Sequence, residues 1–178
     1  DMLELGGKFV GISKDDLENA KIIADKYNVP IFEKREELYK SNLDIVGTSA
    51  INNKKIDIIE ECEEHGIHVI ADKPIVLNIV QYDRLEAVIK RDKIQIGLML
   101  TVRFMPEVYQ VKEMIDQGVI GELLNVEIFS PHKLRADERP DWHFDKEQNG
   151  GIVVDLMVHS IDLYNWLTES QVTNYNGL

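Results

Sequence analysis

The sequence predicts an α/β protein: a doubly wound parallel sheet over residues 1–100, followed by the start of an α+β domain over residues 101–178. Three observations predict it. Short apolar runs alternate with helix-length stretches in the first part, the rhythm of strand–helix–strand units with right-handed crossovers. The runs are β-branched and nearly continuous in apolar character, as parallel strands buried on both faces are. After Thr101 the alternation stops, and a helix, an extended run, a long polar loop and an apolar helix follow.

The expected strands are Lys8–Ile12 (KFVGI), Leu43–Thr48 (LDIVGT), Ile67–Ala71 (IHVIA) and Ile94–Leu100 (IQIGLML). The expected crossover helices are Asp15–Tyr27, Asn53–His65 and Asn78–Arg91. In the first, Leu17, Ala20, Ile23, Ala24 and Tyr27 recur at helical spacing. Asp15 or Asp16 can cap its start, and Asn28-Val29-Pro30 ends it, because the residue before a proline is pushed out of the helical region. In the second part, Pro106–Gln117 reads as a helix stopped by Gly118, and Leu123–Phe129 (LLNVEIF) as an extended run. The stretch from Ser130 to Asn149 is polar and holds two prolines, Trp142 and two histidines. A loop of this length with aromatics in it is usually a lid, a binding segment or disorder. Gly150-Gly151 closes it, and an apolar helix runs from Ile152 to about Leu167.

With 44% hydrophobic and 29% charged residues, the composition is that of an ordinary globular chain with a real core. The formal net charge is −12, spread along the chain. It repels polyphosphate backbones, so no nucleic-acid partner is expected. No apolar run approaches the roughly 18 residues that span a bilayer, so no membrane role is expected either. Cys62 is the only cysteine; no intramolecular disulfide can form, as is usual for a cytoplasmic protein. No Cys or His pair has zinc-ligand spacing, and no metal site is expected.

Two segments carry chemistry. The closing helix, GGIVVDLMVHSIDLYNWL, is apolar on most sides yet holds Asp155, His159 and Asp162 at i, i+4 and i+7. That spacing puts them on one face, where a polar stripe must find partners or meet a cavity. A structural stripe is the plain alternative for those residues taken alone. The second segment is Gly66–Val76, GIHVIADKPIV, in which a buried-type strand ends in Asp72-Lys73-Pro74. Ligands of open parallel sheets bind outside the carboxyl ends of the strands, so Lys73 stands at the crevice mouth. A solvated loop lysine is the alternative there.

Taken together, the Asp-Lys-Pro after GIHVIA resembles the Glu-Lys-Pro motif of the glucose–fructose oxidoreductase and inositol dehydrogenase (Gfo/Idh/MocA) family. Arg103-Phe104-x-Pro106, Gly118-Val119-Ile120-Gly121-Glu122 and the GG…D…H…D helix follow in that family's order. The resemblance implies a partial Rossmann-type sheet, then a substrate and oligomerisation domain, with NAD or NADP as cofactor. It implies a sugar, polyol or related hydroxy substrate and a homo-oligomer when full length. It makes Lys73, Asp155 and His159 the catalytic set: the lysine on the reacting hydroxyl and near the nicotinamide ribose, the histidine as acid–base group. These types suit alcohol oxidation, which needs a base for the hydroxyl proton while carbon gives up hydride, and an ammonium steadies the developing alkoxide. Lys73, Asp155, His159 and Trp142 are then the substrate contacts. Ser13, Lys14, Thr48, Ser49, Asp72, Lys73, Pro74 and Arg103 are the candidate cofactor contacts. His132, Arg139 and His143 are further loop candidates, and Asp162 is read as structural. A non-catalytic dinucleotide-binding sensor of the same fold is the alternative function.

The chain departs from the family at the phosphate loop: it has no G-x-G-x-x-G. Lys8–Ile12 corresponds to the family's second strand, and the chain opens on Asp1, so the first strand and phosphate loop are expected upstream of it. The rest of the substrate domain is expected beyond Leu178. Without the phosphate loop the 178-residue chain is not expected to bind a dinucleotide tightly. At the end of the second strand stand Ser13 and Lys14, which suit a 2′-phosphate, with Asp15 close behind for a ribose diol; NAD and NADP both stay open.

Overall fold

The computed structural model describes residues 6–13, 17–174 and 176. Lys14, and the capping role assigned to Asp15 or Asp16, lie outside the described residues.

Two parallel sheets make the first part. β1 (Ile12–Ser13) pairs with β2 (Ile31–Phe32), and β3 (Ile45–Thr48), β4 (His68–Asp72) and β5 (Ile96–Met99) pair in the order β3-β4-β5. Helices supply the crossovers: α1 (Leu17–Tyr27), α2 (Arg35–Tyr39), α3 (Lys55–Glu64) and α4 (Ile79–Arg91). The Rossmann-type reading of this half holds.

The core lies between the three-stranded sheet and α3–α4. Ile56, Ile59, Cys62, Ile67, Val69 and Val88 are all but sealed from solvent; sealing an Ile or Val side chain stabilises by roughly 1.5–3 kcal/mol. The rim of that core uses the chain's acid surplus. Arg84 of α4 reaches both Asp57 and Glu60 of α3, and Arg91 reaches Glu63. Asn78 caps α4 by accepting the Gln81 N–H at 3.0 Å, and Asp92 closes it in the left-handed region. At the end of α1, Asn28 turns left-handed (φ 51°) and the Val29 N–H returns to the Ala24 carbonyl, so the expected stop operates.

Two elements go beyond the sequence reading. β2 was hidden in the short Pro30–Phe32 stretch, and it is β1's neighbour. The strand expected over Lys8–Ile12 is paired only at its end, because β2 is two residues long. α2 is held from outside: Glu61 takes the Arg35 guanidinium in two bonds of 2.7 and 2.8 Å and the Tyr39 hydroxyl at 2.9 Å.

The second part opens with α5 (Pro106–Asp116), which Gly118 ends at φ 69°. The extended run Leu123–Phe129 forms no strand among the described residues; Leu124 and Phe129 stand in solvent. An extended segment needs a neighbour to satisfy its backbone, and no described segment pairs with it. The polar loop holds two single 3₁₀ turns and a four-residue helix, α6 (Lys146–Asn149). Gly150 and Gly151 both have positive φ, and a β-carbon on Gly150 would lie 2.7 Å from Leu77. A π-helical turn over Val153–Met157 then leads into α7 (Val158–Thr168).

Candidate functional site

β4 delivers Lys73. The strand ends at Asp72, and the Lys73–Pro74 peptide bond is cis. Beyond it the Lys73 ammonium reaches across 82 positions of sequence to Asp155, bonding its carboxylate Oδ1 at 2.8 Å and its carbonyl at 2.7 Å. The π-helical turn explains the second bond: one wide turn loosens the i→i+4 ladder, and the Asp155 carbonyl accepts a side-chain donor. Asp155 is buried, as a carboxylate can be only when paired.

His159 follows one turn later, partly buried, and its Nδ1 has no hydrogen-bond partner among the described residues. Burial, then the Lys73 ammonium, hold this imidazole below the ordinary histidine pKa, against the pull of Asp162 and Asp155. It is therefore neutral near pH 7.

The stripe expected on this helix is real, but its three members take different partners. Asp162, also buried, accepts the Arg103 guanidinium in a two-pronged ion pair, Nε to Oδ2 at 2.9 Å, and Arg103 lies 5.6 Å from the centre of the Trp166 ring. Arg103 thus ties the 3₁₀ turn after β5 to α7. That pairing is in keeping with the structural reading of Asp162.

From the polar loop, His143 comes to face the other carboxylate oxygen of Asp155, Nε2 to Oδ2 at 3.8 Å. The Arg139 guanidinium contacts the same Nε2. Burial first, and Arg139 second, lower the His143 pKa. His143 and Asp155 thus meet as a dipole and a charge, not as an ion pair. Trp142 packs edge-on against His143.

A cleft of about 2000 Å³ separates the two sheets. It runs between the open edges of β1 and β3, and Ser13, Thr48, Ser49 and Trp142 all line it. Thr48 is buried and its hydroxyl accepts the Ala50 N–H at 3.3 Å, while Ser49 is exposed. So the cleft brings three of the candidate cofactor contacts together with one substrate candidate. The Asp72 carboxylate and the Arg103 guanidinium are engaged elsewhere, by Lys55 and Asp162.

Lys55, Asn52 and Asn149, all buried around this site, escaped the sequence reading. The signal for Lys55 was there: with Ile59 and Cys62 it occupies the i, i+4, i+7 stripe of α3, a place for an apolar residue.

Known proteins agree with this architecture. Residues 3–99 match the model of an oxidoreductase family with an NAD-binding Rossmann fold, and residues 108–177 match the GFO/IDH/MocA C-terminal domain. The rhizopine catabolism protein MocA of Rhizobium meliloti is 27% identical over 70% of this chain and 38% of its own length. The trans-1,2-dihydrobenzene-1,2-diol dehydrogenase of Xenopus tropicalis is 28% identical over 83% of this chain and 44% of its own. The solved structure of the WlbA dehydrogenase from Bordetella pertussis, in complex with NADH and UDP-GlcNAcA, superimposes with a TM-score of 0.74. It is 19% identical, over 89% of this chain and 48% of that one. The chain therefore spans less than half the length of each of these proteins. By the match over residues 3–99 it belongs to the GFO/IDH/MocA family of oxidoreductases with an NAD-binding Rossmann fold.

Proposed function

We propose that this chain carries the catalytic groups of an NAD(P)-dependent dehydrogenase that oxidises a CH–OH group of a sugar, polyol or related hydroxy compound. The observation behind the proposal is the meeting of Lys73 with Asp155 one turn from a neutral histidine. Lys73 holds the substrate hydroxyl and steadies the oxyanion as its proton leaves. His159, neutral, takes that proton. Asp155 fixes the ammonium through two bonds and so sets where the hydroxyl sits. The nicotinamide, when bound, supplies the hydride acceptor.

The cleft residues fit part of a dinucleotide. Hydroxyls at Ser13, Thr48 and Ser49 edge an opening at the carboxyl ends of parallel strands, where such ligands bind. Lys14, Asp72, Lys73, Pro74 and Arg103 complete the proposed set, Asp72 and Arg103 as wall and not as free charges. Trp142 on the same cleft supports a substrate contact. We further read residues 1–100 as the dinucleotide-binding unit and 101–178 as the opening of the substrate domain, a division the two family matches favour. Homo-oligomerisation and a cytoplasmic location belong to the same proposal; among the described residues no helix is long and apolar enough to cross a membrane.

The test is a screen of the protein expressed from its complete reading frame. NAD⁺ and NADP⁺ are offered with a panel of polyols, aldoses and cyclic diols, and reduced nicotinamide is followed at its absorbance. Turnover with at least one such compound is expected. Dinucleotide binding with no turnover across the panel would identify the sensor alternative instead.

A further inference from the structure

We infer that Lys55 is a positioning residue: its sealed ammonium gathers the backbone of the Asp72–Pro74 loop and thereby holds Lys73 against Asp155. This rests on the reading of Lys73 as the group that meets the substrate hydroxyl.

Lys55 has no solvent exposure at all. A lysine is almost never buried to that degree without acceptors for its three protons. Here three consecutive carbonyls converge on Nζ: Asp72 at 3.2 Å, Lys73 at 3.4 Å and Pro74 at 3.2 Å. The Asn52 side-chain oxygen adds a bond of 2.9 Å, and the Asp72 carboxylate faces the ammonium as an ion pair. Consecutive peptides of an extended chain point their carbonyls in alternating directions, so three aimed at one cation mark a loop wrapped around it. The middle carbonyl is that of Lys73 itself.

The same anchor reaches the other wall. Asn52, whose oxygen Lys55 holds, donates from Nδ2 to the Asn149 carbonyl at 3.2 Å. The Asn149 amide lies 3.3 Å from the His143 ring, and His143 faces Asp155, the partner of Lys73. A closed circuit of polar groups therefore joins the lysine, the carboxylate that orients it and the loop that covers them. Buried circuits of this kind hold one geometry only when every member is satisfied. Burial also presses the Lys55 pKa down, opposed chiefly by Asp72, so the Asp72 carboxylate helps keep the anchor charged.

The test is competitive acetylation of lysines, read by mass spectrometry, on the chain as it stands. Lys90, an exposed lysine, is the internal reference. In the unmodified chain, Lys73 is expected to react more slowly than Lys90. In Lys55→Met, which fills the space but donates nothing, Lys73 reactivity should rise about tenfold, the loss of one charge-assisted hydrogen bond. Equal Lys73 reactivity in the two folded proteins overturns the inference. If Lys55→Met loses the native circular dichroism spectrum, Lys55→Gln carries the same test, with a smaller rise expected and no change again decisive against it. In the enzyme from the complete reading frame, kcat should fall about a hundredfold, the cost of a small misplacement, with KM for the hydroxy substrate within about twofold. A rise in Lys73 labelling without loss of turnover leaves the positioning intact and counts against the proposed role of Lys73.

Discussion

At the scale of the residue, charge state decides what each group can do. His159 and His143 both sit below the ordinary histidine pKa of 6.5, chiefly through burial, so both are neutral in the folded chain at pH 7. The unfolded chain therefore binds more protons just below pH 6.5, and stability rises with pH there. The contribution is fully present above 6.5 and is lost as pH falls through the depressed folded values. Melting temperatures measured from pH 7.5 to 5 should decline, and His143→Gln should flatten that decline; an unchanged slope in the variant would mean that His143 binds protons alike in the folded and unfolded chains, and a steeper one that it is charged in the fold. For catalysis the same shift places the acid limb of kcat/KM below the ordinary histidine range. Cys62, by contrast, has no role in this chemistry: it is sealed in the core, and burial pushes its thiol pKa up to about 11.

At the scale of the element, α3 does two jobs with one face. Ile56, Ile59 and Cys62 seal the sheet, and Lys55 on the same helix holds the loop after β4. Ile59→Ala should destabilise the chain by about 2–5 kcal/mol through the cavity it leaves, measured by urea unfolding; a loss under about 1 kcal/mol would mean that the core does not close there. The crossover helices and the three-stranded sheet were legible because local apolar runs and helical spacing mark them, although the expected burial on both faces is not found: β3 and β5 carry exposed positions, and the core lies on the α3–α4 side. β2 and α2 were not legible: two paired residues and a five-residue helix leave no period to read, and Glu61, from another helix, holds α2 in place. The split of the 155–159–162 stripe was also invisible, since its spacing was read for an α-helix throughout and a π-helical turn leaves no mark in composition. Lys73 and Asp155 could be named from their motifs. Their direct bond, and the supporting Lys55, Asn52 and Asn149, depend on contacts across long sequence separations that no local pattern encodes.

At the scale of the whole molecule, the proposed catalytic groups come from both family-matched segments and meet where these touch. Lys73 comes from the end of a parallel strand and Asp155 and His159 from the apolar helix, while Arg103 and Asp162 bind the turn after β5 to that helix. Lys112 of α5 adds a tie to Glu169 at the end of α7. The cleft between the two sheets lies beside this junction, with Trp142 of the polar loop on its wall. The central claim is that Lys73 and His159 work together on one hydroxyl. Its most direct measurement is steady-state turnover of the enzyme from the complete reading frame with Lys73→Met and His159→Asn, singly and combined. Each single variant should lose about 10²–10⁴ in kcat, and the double variant should lose little more than the worse single, as groups that act as a unit do. Full activity in either single variant would contradict the account.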